Sequence, residues 1–153
     1  MGKHTVRTAI ALCAATLLSA GLGTASAASA AQTSAVRQTA PGQPVFVDCL
    51  WKPQARPDAF ILACGDGNSR LSSLRWSTWN GRTAVARGVN FVNDCKPYCA
   101  AGTFRSYPVE VRLERPEPWK KDPQVDHFTR LSLTFPGARP DGYGHTVSYS
   151  LWN

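Results

Sequence analysis

Residues that small enzymes rely on are scarce in this chain. Among its 153 residues there are three histidines and one methionine. The sequence has no G-x-S-x-G turn, no H-E-x-x-H pair and no glycine-rich phosphate loop. The familiar routes to a serine hydrolase, a zinc peptidase or a phosphate-cradling fold are therefore closed. Convincing helical spacing is missing, which excludes helix bundles and wound α/β folds. No apolar run reaches the ~20 residues that a membrane-spanning helix requires. Acidic residues are few as well, ten against seventeen basic ones, for a net charge of +7.

What is present begins with an export pattern. Lys3, His4 and Arg7 precede an apolar run over 8–23, and a small-residue tract at 25–31 offers several A-x-A cleavage sites. Residues 1–30 are expected to be a signal peptide, the mature chain starting between Ala28 and Gln32. The sequence has no twin-arginine pair, and Cys13 comes too early for a lipoprotein box, so ordinary secretion to the medium or the cell wall is expected. Residues 31–44 are small, polar and proline-tipped, as in a flexible leader, and 45–153 form the folding unit, a single domain. Lys3 and Arg7 leave with the signal, so fifteen basic residues remain against ten acidic, a net of +5. The arginines are dispersed and form no run. Such an excess serves solubility first, with loose attraction to polyanions as the functional alternative.

Cys13 leaves with the signal, and Cys49, Cys64, Cys95 and Cys99 remain. An even set delivered to an oxidising compartment reads as two disulfides. Cys49–Cys64 and Cys95–Cys99 are the expected pairs because each joins neighbours along the chain, closures worth roughly 3 and 2 kcal/mol. The 95–99 spacing is too wide for a redox C-x-x-C, and His127 and His145 stand too far off to complete a zinc site, so no metal and no cofactor is expected. Asp66-Gly67-Asn68 starts like a calcium loop, but no third oxygen ligand or distal glutamate follows, and a tight turn explains it.

Periodicity of two dominates. Tyr107, Val109, Val111 and Leu113 alternate with charged residues; Leu131, Leu133 and Phe135 alternate with polar ones, as do Val147, Tyr149 and Leu151. The runs 45–51 and 60–64 are short and largely apolar, as buried strands can be. The fold expected is all-β: a β-sandwich-like single domain of seven or eight short strands, with a small barrel as the alternative. Asn80-Gly81 predicts a type I′ hairpin that sets Trp76 opposite Val85 and Leu74 opposite Arg87. The segment 115–124 carries three prolines and five charges and is expected to be an exposed, stiff loop.

Two tryptophans then stand out. Trp76 and Trp79 lie three apart, so on a regular strand they face opposite ways, Trp76 to the core and Trp79 to the surface beside the turn. Trp119 sits in the proline-rich segment next to Lys120 and Lys121. Trp79, Trp119, Lys120 and Lys121 are the expected contact surface, flat apolar faces beside two cations.

The string Asp48-Cys49, Cys64-Gly65-Asp66-Gly67, Leu74-x-Trp76-x-x-Trp79, Asn93-x-Cys95-x-Pro97-x-Cys99-Ala100-x-Gly102 and Tyr107-Pro108-Val109 resembles a group of small exported actinobacterial proteins. The likeness runs over 47–113 and is most specific in its cysteine spacing. It implies export and two disulfides, and it brings no activity and no functional residue with it. In size and staples alone the chain is also similar to other small secreted actinobacterial β-proteins, protease inhibitors among them.

The function expected is that of a non-catalytic extracellular binding or interaction module. It would act as a monomer on an anionic cell-wall polymer or a secreted protein, inhibitor-like in the second case; nucleic acid is not expected as a partner. The alternative is a small secreted phosphodiester hydrolase, ribonuclease-like, with Glu110 as base, Arg112 on the phosphate and His127 as acid. It fails if His127 lies more than about 7 Å from both of the others, since catalytic groups work at hydrogen-bond reach.

Overall fold

The structure is a computed structural model that describes residues 42–152. The expected signal peptide and most of the expected leader lie outside the described residues. Eight strands follow in chain order: β1 (Phe46–Val47), β2 (Pro53–Gln54), β3 (Phe60–Ile61), β4 (Ser69–Trp79), β5 (Ala84–Asn93), β6 (Phe104–Trp119), β7 (Asp122–Thr134) and β8 (Thr146–Ser150). Strands β3 to β8 form one six-stranded antiparallel meander in sequence order, and β1 and β2 pair as a small second sheet. The fold is all-β, a curled sheet or half-barrel with the small sheet beside it, held by disulfides Cys49–Cys64 and Cys95–Cys99. No helix among the described residues is long and apolar enough to cross a membrane.

Strand β4 departs from simple alternation. Its pairing with β5 shifts register between Ser72 and Arg75 and again between Trp76 and Thr78, and Ser73 sits at φ 56. Each extra residue in a strand turns the following side chains to the other face. Leu71 and Leu74 are therefore both buried although three apart, and Trp76 and Trp79 point the same way, their rings 4.7 Å apart and edge-on. The expectation that Trp79 emerges at the surface is corrected: Trp79 is 5% exposed, and its indole N–H donates to the Pro44 carbonyl at 3.0 Å. The hairpin is corrected with it. Trp76 lies opposite Ala86 and Arg75 opposite Arg87. Neither Asn80 nor Gly81 takes a positive φ; the Asn80 side-chain oxygen instead accepts the N–H groups of Arg82 and Thr83.

The proline-rich segment is not a loop. Strand β6 runs through Pro116 and Pro118 and returns as β7 after a turn at Lys120 and Lys121. Strand β5 ends opposite Leu113, so beyond it one edge of β6 lies open. The backbone changes sense at Arg115, φ 55. The Arg115 carbonyl accepts from the Thr129 hydroxyl of β7 at 2.8 Å. The nitrogen of Pro116, on the opposite side of that same peptide plane, therefore points to the open edge, and Pro118 follows two residues on. Proline is tolerated there because no ladder donor is needed.

One contiguous core lines the inner face of the meander, from Leu71 and Leu74 through Val111 and Leu113 to Phe128, Leu131 and Leu133. A smaller cluster joins Val45, Val47 and Trp119, with Val125 and Trp152 against it. Trp119 is 6% exposed, so it too is withdrawn from the expected contact surface. β1 stitches the two clusters together: Phe46 packs on Phe60 at 4.2 Å while its neighbours Val45 and Val47 enter the smaller cluster. Val45 also closes the edge of β7, donating to the Asp126 carbonyl at 2.9 Å and accepting from the Phe128 N–H at 3.0 Å.

Candidate functional site

The run 45–51, apolar but for Asp48, is a strand only at Phe46–Val47, because Asp48 offers the chain a better set of hydrogen bonds. One Asp48 carboxylate oxygen accepts from the N–H groups of Leu50 (2.8 Å) and Lys52 (2.9 Å), and the other from the Gln54 amide at 2.6 Å. The Asp48 backbone N–H donates to the Lys52 carbonyl, and the Trp51 N–H to the Asp48 carbonyl, both at 3.0 Å. Aspartate side chains compete with ladders in this way at turns. Cys49 is bonded to Cys64 in the same turn.

The result is a braced tip with its apolar groups outside. Leu50 is 72% exposed, and Trp51, 42% exposed, is held at φ 61. Left-handed backbone at a bulky aromatic costs on the order of 1–2 kcal/mol, and such strain persists only where surrounding bonds over-determine it. Lys121, from the β6–β7 turn, places its ammonium 4.1 Å from the Trp51 ring centroid. Lys120 and Lys121 are both exposed, and the ring that Lys121 meets is that of Trp51, while Trp79 and Trp119 are buried. Asp48, two residues before Leu50, was the signal in the sequence that this run would turn outward.

A second disulfide-tied region lies at the other end of β5. Asn93 donates to the Asn68 side chain at 2.9 Å and to the Cys99 carbonyl at 2.7 Å, and its oxygen accepts from the Cys95 N–H at 3.1 Å. Asp94 accepts from the N–H groups of Thr103 and Lys96 and pairs with Arg105 at 3.2 Å. Those backbone donors, Thr103 first, hold its carboxyl below the ordinary aspartate range. Asp66 is lowered likewise by the backbone and side chain of Asn68, its own turn partner, with Gly67 at φ 68. The tight-turn reading of 66–68 therefore accounts for its side chains. A hollow of about 360 Å³ opens here, lined in part by Asp66, Asp94 and Asp141, but Lys96 occupies Asp141 at 2.9 Å. No cluster of three or more metal-ligating side chains occurs among the described residues.

The three residues of the hydrolase alternative are not brought together. Glu110 and Arg112 lie on the solvent face of β6, opposite Thr134 and Ser132. His127 is fully buried in β7, opposite Glu117. Seven residues of β6 separate Glu117 from Glu110 and five separate it from Arg112. At ~3.3 Å per residue these spans are about 23 and 17 Å along the strand.

No protein-family model, no curated protein and no solved structure matches the chain.

Proposed function

We propose that the protein is a secreted, non-catalytic binding module whose contact surface is the 48–52 tip together with the Lys120–Lys121 turn. One observation carries this reading: an exposed tryptophan held in strained backbone by a disulfide and five hydrogen bonds, with a lysine on its face. A site ordered before docking loses little conformational entropy on binding. Trp51 and Leu50 supply the anchor and the two lysines supply charge. An aromatic plane beside cations suits a sugar ring that bears an acidic substituent, so the partner is an anionic polymer of the cell wall. The export pattern at the N-terminus, the resemblance to small exported actinobacterial proteins and the two disulfides support a location outside the cell.

The test is retention on purified cell wall, comparing the native protein with Trp51→Ala and Lys120→Gln/Lys121→Gln. Both variants are expected to wash off at lower salt than the native protein. Equal retention of all three would overturn the reading. Loss of wall retention by none of them, with Trp51-dependent capture of one secreted protein, would replace the polymer by a protein partner.

A further inference from the structure

The outer face of the meander carries a second surface, remote in sequence from the tip and different in chemistry. Read across the strands, one row runs Arg75–Arg87–Glu110–Thr134–Thr146, and the next runs Val85–Arg112–Ser132–Ser148. A third runs Glu114–Arg130–Ser150. The arginines therefore step diagonally from β4 to β7: Arg75 and Arg87 in the first row, Arg112 in the second and Arg130 in the third. Strands are ~4.8 Å apart and alternate residues ~6.7 Å apart, so successive members are about 5, 8 and 8 Å from one another at the backbone.

Neutralisation along this line is incomplete. Arg75 and Arg87 lie directly opposite each other, an arrangement of like charges that costs stability in a sheet. The nearest carboxylate contact of Arg87 is Glu110 at 3.8 Å, with the Arg87 side chain 87% exposed, and Arg75 has no ion pair among the described residues. Arg112 reaches Glu114 only at 3.8 Å. Each end of the line opens into a shallow hollow: one of about 370 Å³ is lined by Arg75, Ser77, Val85, Arg87 and Glu110. The other, of about 420 Å³, holds Arg115, Arg130, Ser148 and Ser150, with Glu117. Hydroxyl pairs bonded across strands, Ser132 with Ser148 at 3.0 Å and Thr134 with Thr146 at 3.1 Å, floor the face beside them.

We infer that this face binds a linear polyol phosphodiester chain, its phosphates spaced along the arginine diagonal and its hydroxyls on the serine and threonine pairs. Guanidinium forks match phosphate oxygens in pairs, which is why arginine serves where planar bidentate recognition is needed. Nucleic acid fits less well. Single-stranded binders add aromatic platforms for the bases, and these three rows hold none. The wall-polymer reading supplies the setting, and the arginine face makes a separate contact from the tip.

Binding of soluble poly(glycerol phosphate) by isothermal titration, at several salt concentrations, tests the inference. For the native protein log K should fall with log salt with a slope of about −2 or steeper, at roughly 0.7 per phosphate neutralised. Arg75→Gln/Arg87→Gln and Arg112→Gln/Arg130→Gln should each weaken binding about tenfold and flatten that slope, while Trp51→Ala retains most of it. Salt-independent binding by the native protein would overturn the inference whatever the variants do. Affinity within twofold of native in both arginine variants would overturn it too. If Trp51→Ala alone abolished binding, the tip would be the polymer site and only the arginine face would fall. Tighter binding of a single-stranded oligonucleotide than of the polymer would overturn it in favour of nucleic acid.

Discussion

Around Cys49 the chain gathers its bonds about Asp48 and exposes Leu50 and Trp51; around Cys95 it gathers them about Asn93 and Asp94 and exposes Tyr98. Both segments end in a disulfide, and both use an aspartate to gather backbone N–H groups, Asp48 in one and Asp94 in the other. In the 95–102 loop the bonds gather about Asn93, which ties Asn68, Cys95 and Cys99 together, with Gly102 packed against Asn93 and Cys95 and Lys96 reaching out to Asp141. In the 48–52 tip the same devices hold Leu50 and Trp51 exposed, with Lys121 against the Trp51 ring. Bracing alone therefore does not distinguish a structural loop from a contact surface. The difference is the cation: Lys121 lies on the Trp51 ring, whereas no cation–ring contact among the described residues involves Tyr98.

Five stability measurements test that contrast. Cys49→Ser/Cys64→Ser should lower unfolding free energy by about 3 kcal/mol and Cys95→Ser/Cys99→Ser by about 2, as loop length dictates. Urea midpoints with unchanged slopes would check both. Gly102→Ala should cost about 2 kcal/mol, in the range of overpacked sites. A Cβ there would sit 2.8 Å from the Cys95 nitrogen and closer still to the Asn93 side-chain oxygen.

At the tip the sign should invert. Trp51→Gly should be more stable than Trp51→Ala by about 1 kcal/mol, because glycine adopts φ 61 without strain. Equal midpoints would show that the tip stores no backbone strain.

The smallest effect concerns acid. Asp94 has a lowered pKa in the folded protein, so its contribution is present above the unfolded value and is lost as pH falls through the folded one. Asp94→Asn should therefore narrow the difference in urea midpoint between pH 7 and pH 2 relative to the native protein. An unchanged difference would mean that Asp94 is not linked to folding.

Alternation was enough to read the inner face in advance: Val109, Val111, Leu113, Leu131 and Leu133 all point to the core as their spacing requires. The cysteine pairing was legible for a similar reason, since each partner is the nearest along the chain. Where local geometry breaks period two, the sequence misled. The two bulges in β4 moved Trp79 inside, and no single residue type announces a bulge whose irregular position is Ser73 or Ser77. Prolines at 116 and 118 read as a loop because the open edge left by the shorter β5 is a property of the sheet and not of the segment. Trp51 was hidden in an apolar run for want of weight given to Asp48. The arginine diagonal depends on register across four strands, so dispersal along the chain concealed it.

The most direct test of the account is the affinity of the native protein and Trp51→Ala for purified cell wall, with thermal midpoints recorded on the same samples. A loss of tenfold or more in affinity is expected, as for a central aromatic anchor, with the fold of the variant intact. Affinities within twofold of each other, at equal fold integrity, would contradict it.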